Sequence, residues 1–568
     1  MSQDVELTSG AYEQGSKGLK GGALGLLSSV VIGVSSTAPG YSIAATLGFV
    51  VAAVAFQAPA VMVLAFIPML FIAYAYRELN RVAPDCGTTF TWATKAFNPW
   101  VGWMGGWGII AADVVVMASL SQIAGIYGFL LFGLDDLANN TAAVTAVGCL
   151  WIAVLTWVCY RGIEVSAKFQ FVMLAVEVVV LVLFAVIALV KVYSGNAGPN
   201  SVTPEISWFN PFLIVGEDGA FSLATMTSAV LLAVFIYWGW DSAVAVNEET
   251  KDPATTPGRA AVLSTVILVL TYAIVAVAAV AFDGVETLAD QDDVLAVLGG
   301  EVLGSGLDKV LIIAVLTSAA ASTQTTILPT ARTTLSMAAY QALPASFAKV
   351  HPRFFTPTTS TIAMGVVSII FYITMASISD NILADSALAV GLLIAFYYGL
   401  TGFASAWYFR SERGSGFRDL NARIIMPLLG GLMLLGAFIV TLRDNANPEN
   451  SNTQITLFGW DTGGVFVISV GALLLGFVLM LITRLRSPAF FSGKVLNRST
   501  VVQVYESEPI TETEALVPSL PDAPSQEQTV IPPLSVEELR EAEAEARQEA
   551  REARASDDED EGQPAPPA

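Results

Sequence analysis

The sequence predicts an all-α membrane protein of about twelve transmembrane helices, built as a 5+5 inverted repeat with broken helices 1 and 6 and followed by an acidic tail. Three observations predict it: long apolar runs, basic residues confined to alternate loops, and two helix breaks set five spans apart. The 568 residues are 54% hydrophobic and have a mean hydropathy of +0.63, beyond the usual range of soluble domains. A span needs about 20 apolar residues. Such runs fall at 24–50, 58–79, 99–132, 142–160, 168–192, 226–247, 260–282, 308–340, 358–377, 386–409, 424–442 and 463–485.

Lys and Arg mark cytoplasmic loops. With the N-terminus placed inside, inside loops hold 20 of them, and outside loops hold only Lys191, Lys309 and Arg443. The pattern therefore supports the span count and puts both termini in the cytoplasm. The first 20 residues are polar and the first apolar run lacks a cleavage pattern, so no signal peptide is expected. The domains expected are a cytoplasmic N-terminus 1–22, a transmembrane body 23–486 in which helices 1–5 and 6–10 are the inverted repeats and helices 11–12 are accessory, and a disordered acidic cytoplasmic tail 487–568.

The first break is Ser35-Ser36-Thr37-Ala38-Pro39-Gly40, and the second is Tyr237-Trp238-Gly239-Trp240-Asp241. Lipid offers no hydrogen bonds, so broken backbone survives at membrane depth only where it is buried in protein or lines a cavity. Five spans run from each break to the end of its set, so the second set is upside down relative to the first. Paired discontinuous helices of this kind point to a substrate site.

Residues 501–568 hold 18 of the 49 acids and four arginines, so the net charge of −22 says little about the substrate. Residues 501–534 are rich in Pro, Ser, Thr and Glu and cannot bury a core, so disorder is expected. A charged helix is expected over 535–554, with Ser535 and Glu538 as a capping box and Glu543 with Arg547 as an i,i+4 pair. A solubilising role is the plain expectation; nothing in the tail selects a partner. His351 is the single histidine, and Cys86, Cys149 and Cys159 are the only cysteines. A His/Cys metal centre or a Ser-His-Asp triad is therefore not expected. No cofactor, enzymatic activity or nucleic-acid partner is indicated.

The first break offers Ser36, Thr37, Ala38 and Gly40 around a half-helix N-terminus, which favours anions such as a carboxylate. An ordinary proline kink is the plainer alternative. At the second break, released carbonyls around Trp238 and Gly239 suit an ammonium, and the aromatics suit closure over a small cation. Asp113, Glu177 and Asp241 lie within apolar spans, where ionisable groups are functional by default. Each is a candidate proton carrier. Asp113 is alternatively a holder of a substrate amine, and Asp241 a stabiliser of its own turn. Span 8 carries Thr317, Ser318, Ser322, Thr323, Thr325 and Thr326. Ser322 and Thr323 are weak Na⁺ candidates against the carbonyls of the first break, and interhelical contact is the alternative.

Three further motifs join the two breaks. Asn247-Glu248-Glu249-Thr250-Lys251-Asp252-Pro253 follows the second break. Pro84, Gly87, Thr88, Thr91 and Trp92 precede Gly102-Trp103 and Gly106-Trp107. Leu343-Pro344, Phe347, Lys349-Val350-His351 and Thr356-Pro357 follow span 8. In order and spacing, residues 20–485 resemble the amino acid–polyamine–organocation transporters, which share the LeuT-type fold. The resemblance implies a substrate held between helices 1, 3, 6 and 8. It matches Thr37, Ala38 and Gly40 to the first-helix substrate loop, Phe235 to a gating aromatic and Trp238 to the unwound turn. Asp113 falls near where an arginine–agmatine antiporter holds the distal end of its substrate. Glu177 falls where some proton-coupled relatives carry a lysine. Two departures stand out: the usual Gly-Ser-Gly is Thr-Ala-Pro-Gly here, so Pro39 removes a donor, and the helix-5 lysine is an acid.

The function expected is a plasma-membrane permease moving amino acids or related amines by alternating access, coupled to protons. A polyamine or organocation importer or exchanger is the runner-up. An ion transporter and a transporter-like sensor acting through the tail are the remaining alternatives.

Overall fold

The computed structural model describes residues 17–502, except 217–218, 290, 292–293, 305–307, 412–415 and 458. The helix expected over 535–554, and the tail beyond 502, lie outside the described residues. In chain order the helices are α1 (Leu26–Ser36), α2 (Pro39–Val54), α3 (Ala58–Val82), α4 (Thr89–Ala96), α5 (Pro99–Leu131), α6 (Asp135–Ala138), α7 (Thr141–Tyr160), α8 (Ile163–Tyr193), α9 (Leu223–Val234) and α10 (Ser242–Ala245). There follow α11 (Thr256–Ala289), α12 (Val294–Leu303), α13 (Asp308–Ala339), α14 (Thr358–Ile378), α15 (Asp380–Tyr408), α16 (Phe417–Leu420), α17 (Met426–Asp444), α18 (Gly464–Arg486) and α19 (Pro488–Phe491).

Eleven helical stretches among the described residues are long and apolar enough to cross a membrane. The first, Leu26–Val82, has 57 residues. At about 1.5 Å per residue it far exceeds a hydrocarbon core of about 30 Å. It turns back at Ala55, whose φ is +50°, and so supplies two passes. The twelve expected passes are thereby accounted for. One small departure from an all-α fold is an antiparallel hairpin, β1 (Gln454–Leu457) with β2 (Trp460–Gly463), between α17 and α18.

The packing repeats between the two sets of five. Helix α3 lies against its counterpart α11, and α5 against its counterpart α13. Helix α8 packs on α11 and α13 as its counterpart α15 packs on α3 and α5. This reciprocity is what an inverted repeat produces. Helices α5, α13 and α15 form the buried centre. Leu150, Leu183, Ile370, Leu432 and Leu474 face outward from α7, α8, α14, α17 and α18, a surface suited to lipid rather than water.

The packed body reaches past the expected boundary at 486. Phe490 and Leu496 are fully buried, with Phe490 stacked on Phe90. Lys95 reaches the backbone carbonyls of Asn497 and Thr500. Residues 487–502 are therefore part of the body, because two aromatic side chains and Leu496 find apolar partners that their polar neighbours obscure in the sequence.

Candidate functional site

Both breaks form where expected. Helix α1 ends at Ser36 and α2 begins at Pro39, with Ala38 in the left-handed region (φ 46°, ψ 62°). An alanine there costs about 1 kcal/mol. Pro39 sits at the first helical position, where its missing N–H costs nothing. Helix α9 ends at Val234, a 3-10 turn holds Phe235–Tyr237, and the chain is unwound through Trp238, Gly239 and Trp240 before α10.

The breaks touch each other. Ser36 Oγ lies 2.8 Å from Ser242 Oγ. Gly239 has φ +115°, and a Cβ there would fall 2.6 Å from the Ser36 carbonyl oxygen. Only glycine meets both demands. Ser322 Oγ of α13 donates to that same Ser36 oxygen at 3.0 Å. Pro329 interrupts α13 and leaves the Thr325 carbonyl without a helical N–H; Ser242 Oγ donates to it at 3.3 Å. Three discontinuities thus satisfy one another.

The N–H groups that open α2 are engaged. Gly40 N–H donates to Glu177 Oε1 at 2.6 Å, and Tyr41 N–H donates to Ser318 Oγ at 3.2 Å. Glu177 is fully buried, and its Oε2 has no hydrogen-bond partner among the described residues. Thr37 Oγ1 donates to the Val34 carbonyl, and Ser42 Oγ to the Thr37 carbonyl. The expected open cradle at Thr37, Ala38 and Gly40 is therefore partly filled by a side chain of this chain.

The other acids are also placed. Asp113 is buried on α5, and its Oδ2 accepts from Thr330 Oγ1 of α13 at 2.5 Å. It lies within electrostatic reach of Asp241. Asp241 accepts from Tyr398 at 2.8 Å and from Tyr397 at 3.1 Å. The Trp238 indole N–H donates to Tyr397 Oη at 2.5 Å. The Asp241 carboxylate thus ties the unwound turn to α15 through two tyrosine hydroxyls. Phe235 is half-buried in the 3-10 turn beside the break. Of the two Na⁺ candidates, Ser322 reaches the first break, whereas Thr323 Oγ1 donates to Ala319 of its own helix.

Sequence reasoning missed Tyr397, Tyr398, Ser242 and Thr330, which act through distant partners. Pro329 inside span 8 was the available signal. It also missed Gln170 of α8, whose amide bonds to Gln324 and to the Ala321 carbonyl. A polar cluster at the end where α1 begins was missed as well. There Lys17 pairs with Asp85 at 2.8 Å and with Glu248 at 2.5 Å. Asp85 also accepts from Gly87 N–H, Thr91, Ser336 and Tyr340. Burial alone would raise the Asp85 carboxyl, but the Lys17 ammonium and these donors hold it at about 2. Burial alone would lower Lys17, yet Asp85 and Glu248 push it well above its ordinary value. Asp85, Cys86 and Glu248 converge like metal ligands, and the ammonium supplies positive charge at that point.

A family profile described as "Amino acid permease" matches residues 24–479. An uncharacterized transporter of Mycobacterium tuberculosis is 28% identical over 421 residues, 73% of this chain and 85% of that protein. The low-affinity putrescine importer PlaP of Escherichia coli is 24% identical over 398 residues, 68% of this chain and 81% of that protein. The branched-chain amino acid permease BcaP of Lactococcus lactis is 24% identical over 220 residues, 36% of this chain and 44% of that protein. With the profile spanning both breaks and reaching into the last long helix of the bundle, the chain belongs to the amino acid permease family.

Proposed function

We propose that this permease moves an amino acid or a related amine across the plasma membrane by alternating access, with both termini cytoplasmic and protons as the coupling ion. The observation that carries the reading is the contact between the breaks, Ser36 with Ser242 and Gly239 against the Ser36 carbonyl. Unwound backbone from both halves meets there, where a polar substrate finds donors and acceptors that lipid-facing helices lack. In this reading Ser36, Thr37, Ala38 and Gly40 line one side, and Trp238 and Gly239 the other. Phe235 is the gate. Asp113 faces the distal amine of the substrate.

Glu177 is the better coupling candidate. Its carboxylate holds the first N–H of α2, so gaining a proton weakens the bond that positions that half-helix. Asp241 already accepts from two tyrosines, which makes it the weaker candidate. The relatives carry putrescine in one case and branched-chain amino acids in another, so both substrate classes belong in the test. The purified protein in proteoliposomes should accumulate a labelled amino acid or putrescine when the outside is acidic, and lose that accumulation when the gradient is collapsed. Accumulation indifferent to the gradient removes proton coupling. No uptake of any amino acid or amine removes the permease reading.

A further inference from the structure

We propose that Glu177 is a tethered carboxylate that occupies the anion position at the start of α2, so that the permease selects cationic amines over the amino acids that bear the same side chain plus a carboxylate. The inference rests on the permease reading above and names its substrate class.

Four observations carry it. The N-terminus of α2 presents few donors, because Pro39 has no N–H. Gly40 N–H is taken by Glu177 Oε1 at 2.6 Å and Tyr41 N–H by Ser318 at 3.2 Å. A Cβ at Gly40 would lie 3.3 Å from Glu177 Oε1 and crowd it. Glu177 Oε2 is buried and has no hydrogen-bond partner among the described residues. One oxygen thus serves the helix N-terminus and the other is left to accept. A carboxylate placed at a helix N-terminus is the group the dipole favours. Here the protein supplies it instead of the substrate.

The consequence is a change of sign at the recognition point. A substrate carboxylate entering this position meets a second carboxylate and finds its donors already bonded, which disfavours it strongly. An ammonium finds a buried carboxylate oxygen with no hydrogen-bond partner among the described residues. Asp113, also buried and acidic, lies on a different helix and suits a second ammonium. Two buried acids contributed by α8 and α5 match a diamine better than a zwitterion.

The test uses pairs that differ only by the carboxylate: agmatine against arginine, and putrescine against ornithine. Binding is read at pH 8 as ligand-induced thermal stabilisation of the purified full chain, with leucine as a neutral control. The wild type should favour each amine over its amino acid by at least about tenfold. Glu177→Gln keeps the shape and removes the charge, and should collapse that ratio by about tenfold, chiefly by improving arginine and ornithine. Gly40→Ala, which crowds Oε1, should lower the ratio in the same direction. A wild-type ratio near one overturns the proposal, as does a Glu177→Gln ratio equal to the wild-type value. If neither variant folds, the wild-type ratio decides alone. If no amine and no amino acid binds the wild type, the permease reading itself fails, which is a separate result.

Discussion

Arg332 of α13 donates two hydrogen bonds to Glu249, at 2.7 and 2.9 Å, and neither side chain is more than 1% exposed. Glu249 belongs to the turn that follows the second break, so the ion pair ties that turn to the central helix α13. Leu24 N–H donates to the Glu249 carbonyl, and Lys251 N–H donates to the Leu24 carbonyl. The start of α1 and the turn after the second break are therefore one unit. Breaking a buried pair by removing one partner costs about 3–5 kcal/mol. Arg332→Met and Glu249→Gln should each lower the melting temperature sharply, and the double substitution should recover part of the loss. A double-mutant thermal cycle checks this; additive single effects would mean that the two residues do not act together.

The Lys17 cluster predicts a pH window. The folded Asp85 carboxyl sits at about 2, below the ordinary value of 3.8. Its contribution is therefore present above about pH 4 and is lost as the pH falls towards 2. Lys17 is raised above its ordinary 10.5, so its contribution is present below that value and is lost as the pH rises beyond its folded value. Asp85→Asn should remove most of the acid-side loss of stability. The check is thermal stability of both proteins on the acid side, from about pH 7 down to about pH 2. Parallel curves would show that Asp85 does not set the acid limb.

Gly239→Ala should be severe. The substitution puts a Cβ 2.6 Å from the Ser36 carbonyl oxygen at φ +115°, and both the clash and the strained backbone act against it, at a cost of about 1–3 kcal/mol each. Ser36→Ala removes only the hydroxyl facing Ser242 and should be milder. Melting temperatures and initial uptake rates of the two variants rank them. A Gly239→Ala protein as stable as the wild type would mean that the breaks separate at this point.

Periodicity, breakers and loop charge made the span architecture readable in the sequence, because hydrophobic length and Pro/Gly chemistry are local. The first break is a case in point: Pro39 and Gly40 announce it without any partner. The partner of Glu177 was not readable. The bond to Gly40 joins residues 137 apart, and no spacing rule relates α8 to the start of α2. The partners of Asp241 were not readable either, since Tyr397 and Tyr398 arrive from a helix more than 150 positions later. The packed segment 487–502 was misjudged for the same reason: Phe490 is an anchor only because Phe90 is there to receive it.

Asp113 offers the remaining prediction. It is 2% exposed and already has one hydrogen bond, from Thr330. Asp113→Asn keeps an oxygen for Thr330 and removes the charge, so the fold should survive with little change in melting temperature. A charged hydrogen bond to an ammonium is worth about 1.5–3 kcal/mol, so the affinity for putrescine and agmatine should fall by about tenfold to a hundredfold. Leucine, which has no distal amine, should be affected far less. Thr330→Val serves as the control for position: it loosens the carboxylate but keeps its charge, and should cost less than Asp113→Asn. Equal affinity of Asp113→Asn and wild type for every cationic ligand would place Asp113 outside the substrate path, and its bond to Thr330 would then be a contact between α5 and α13 and nothing more.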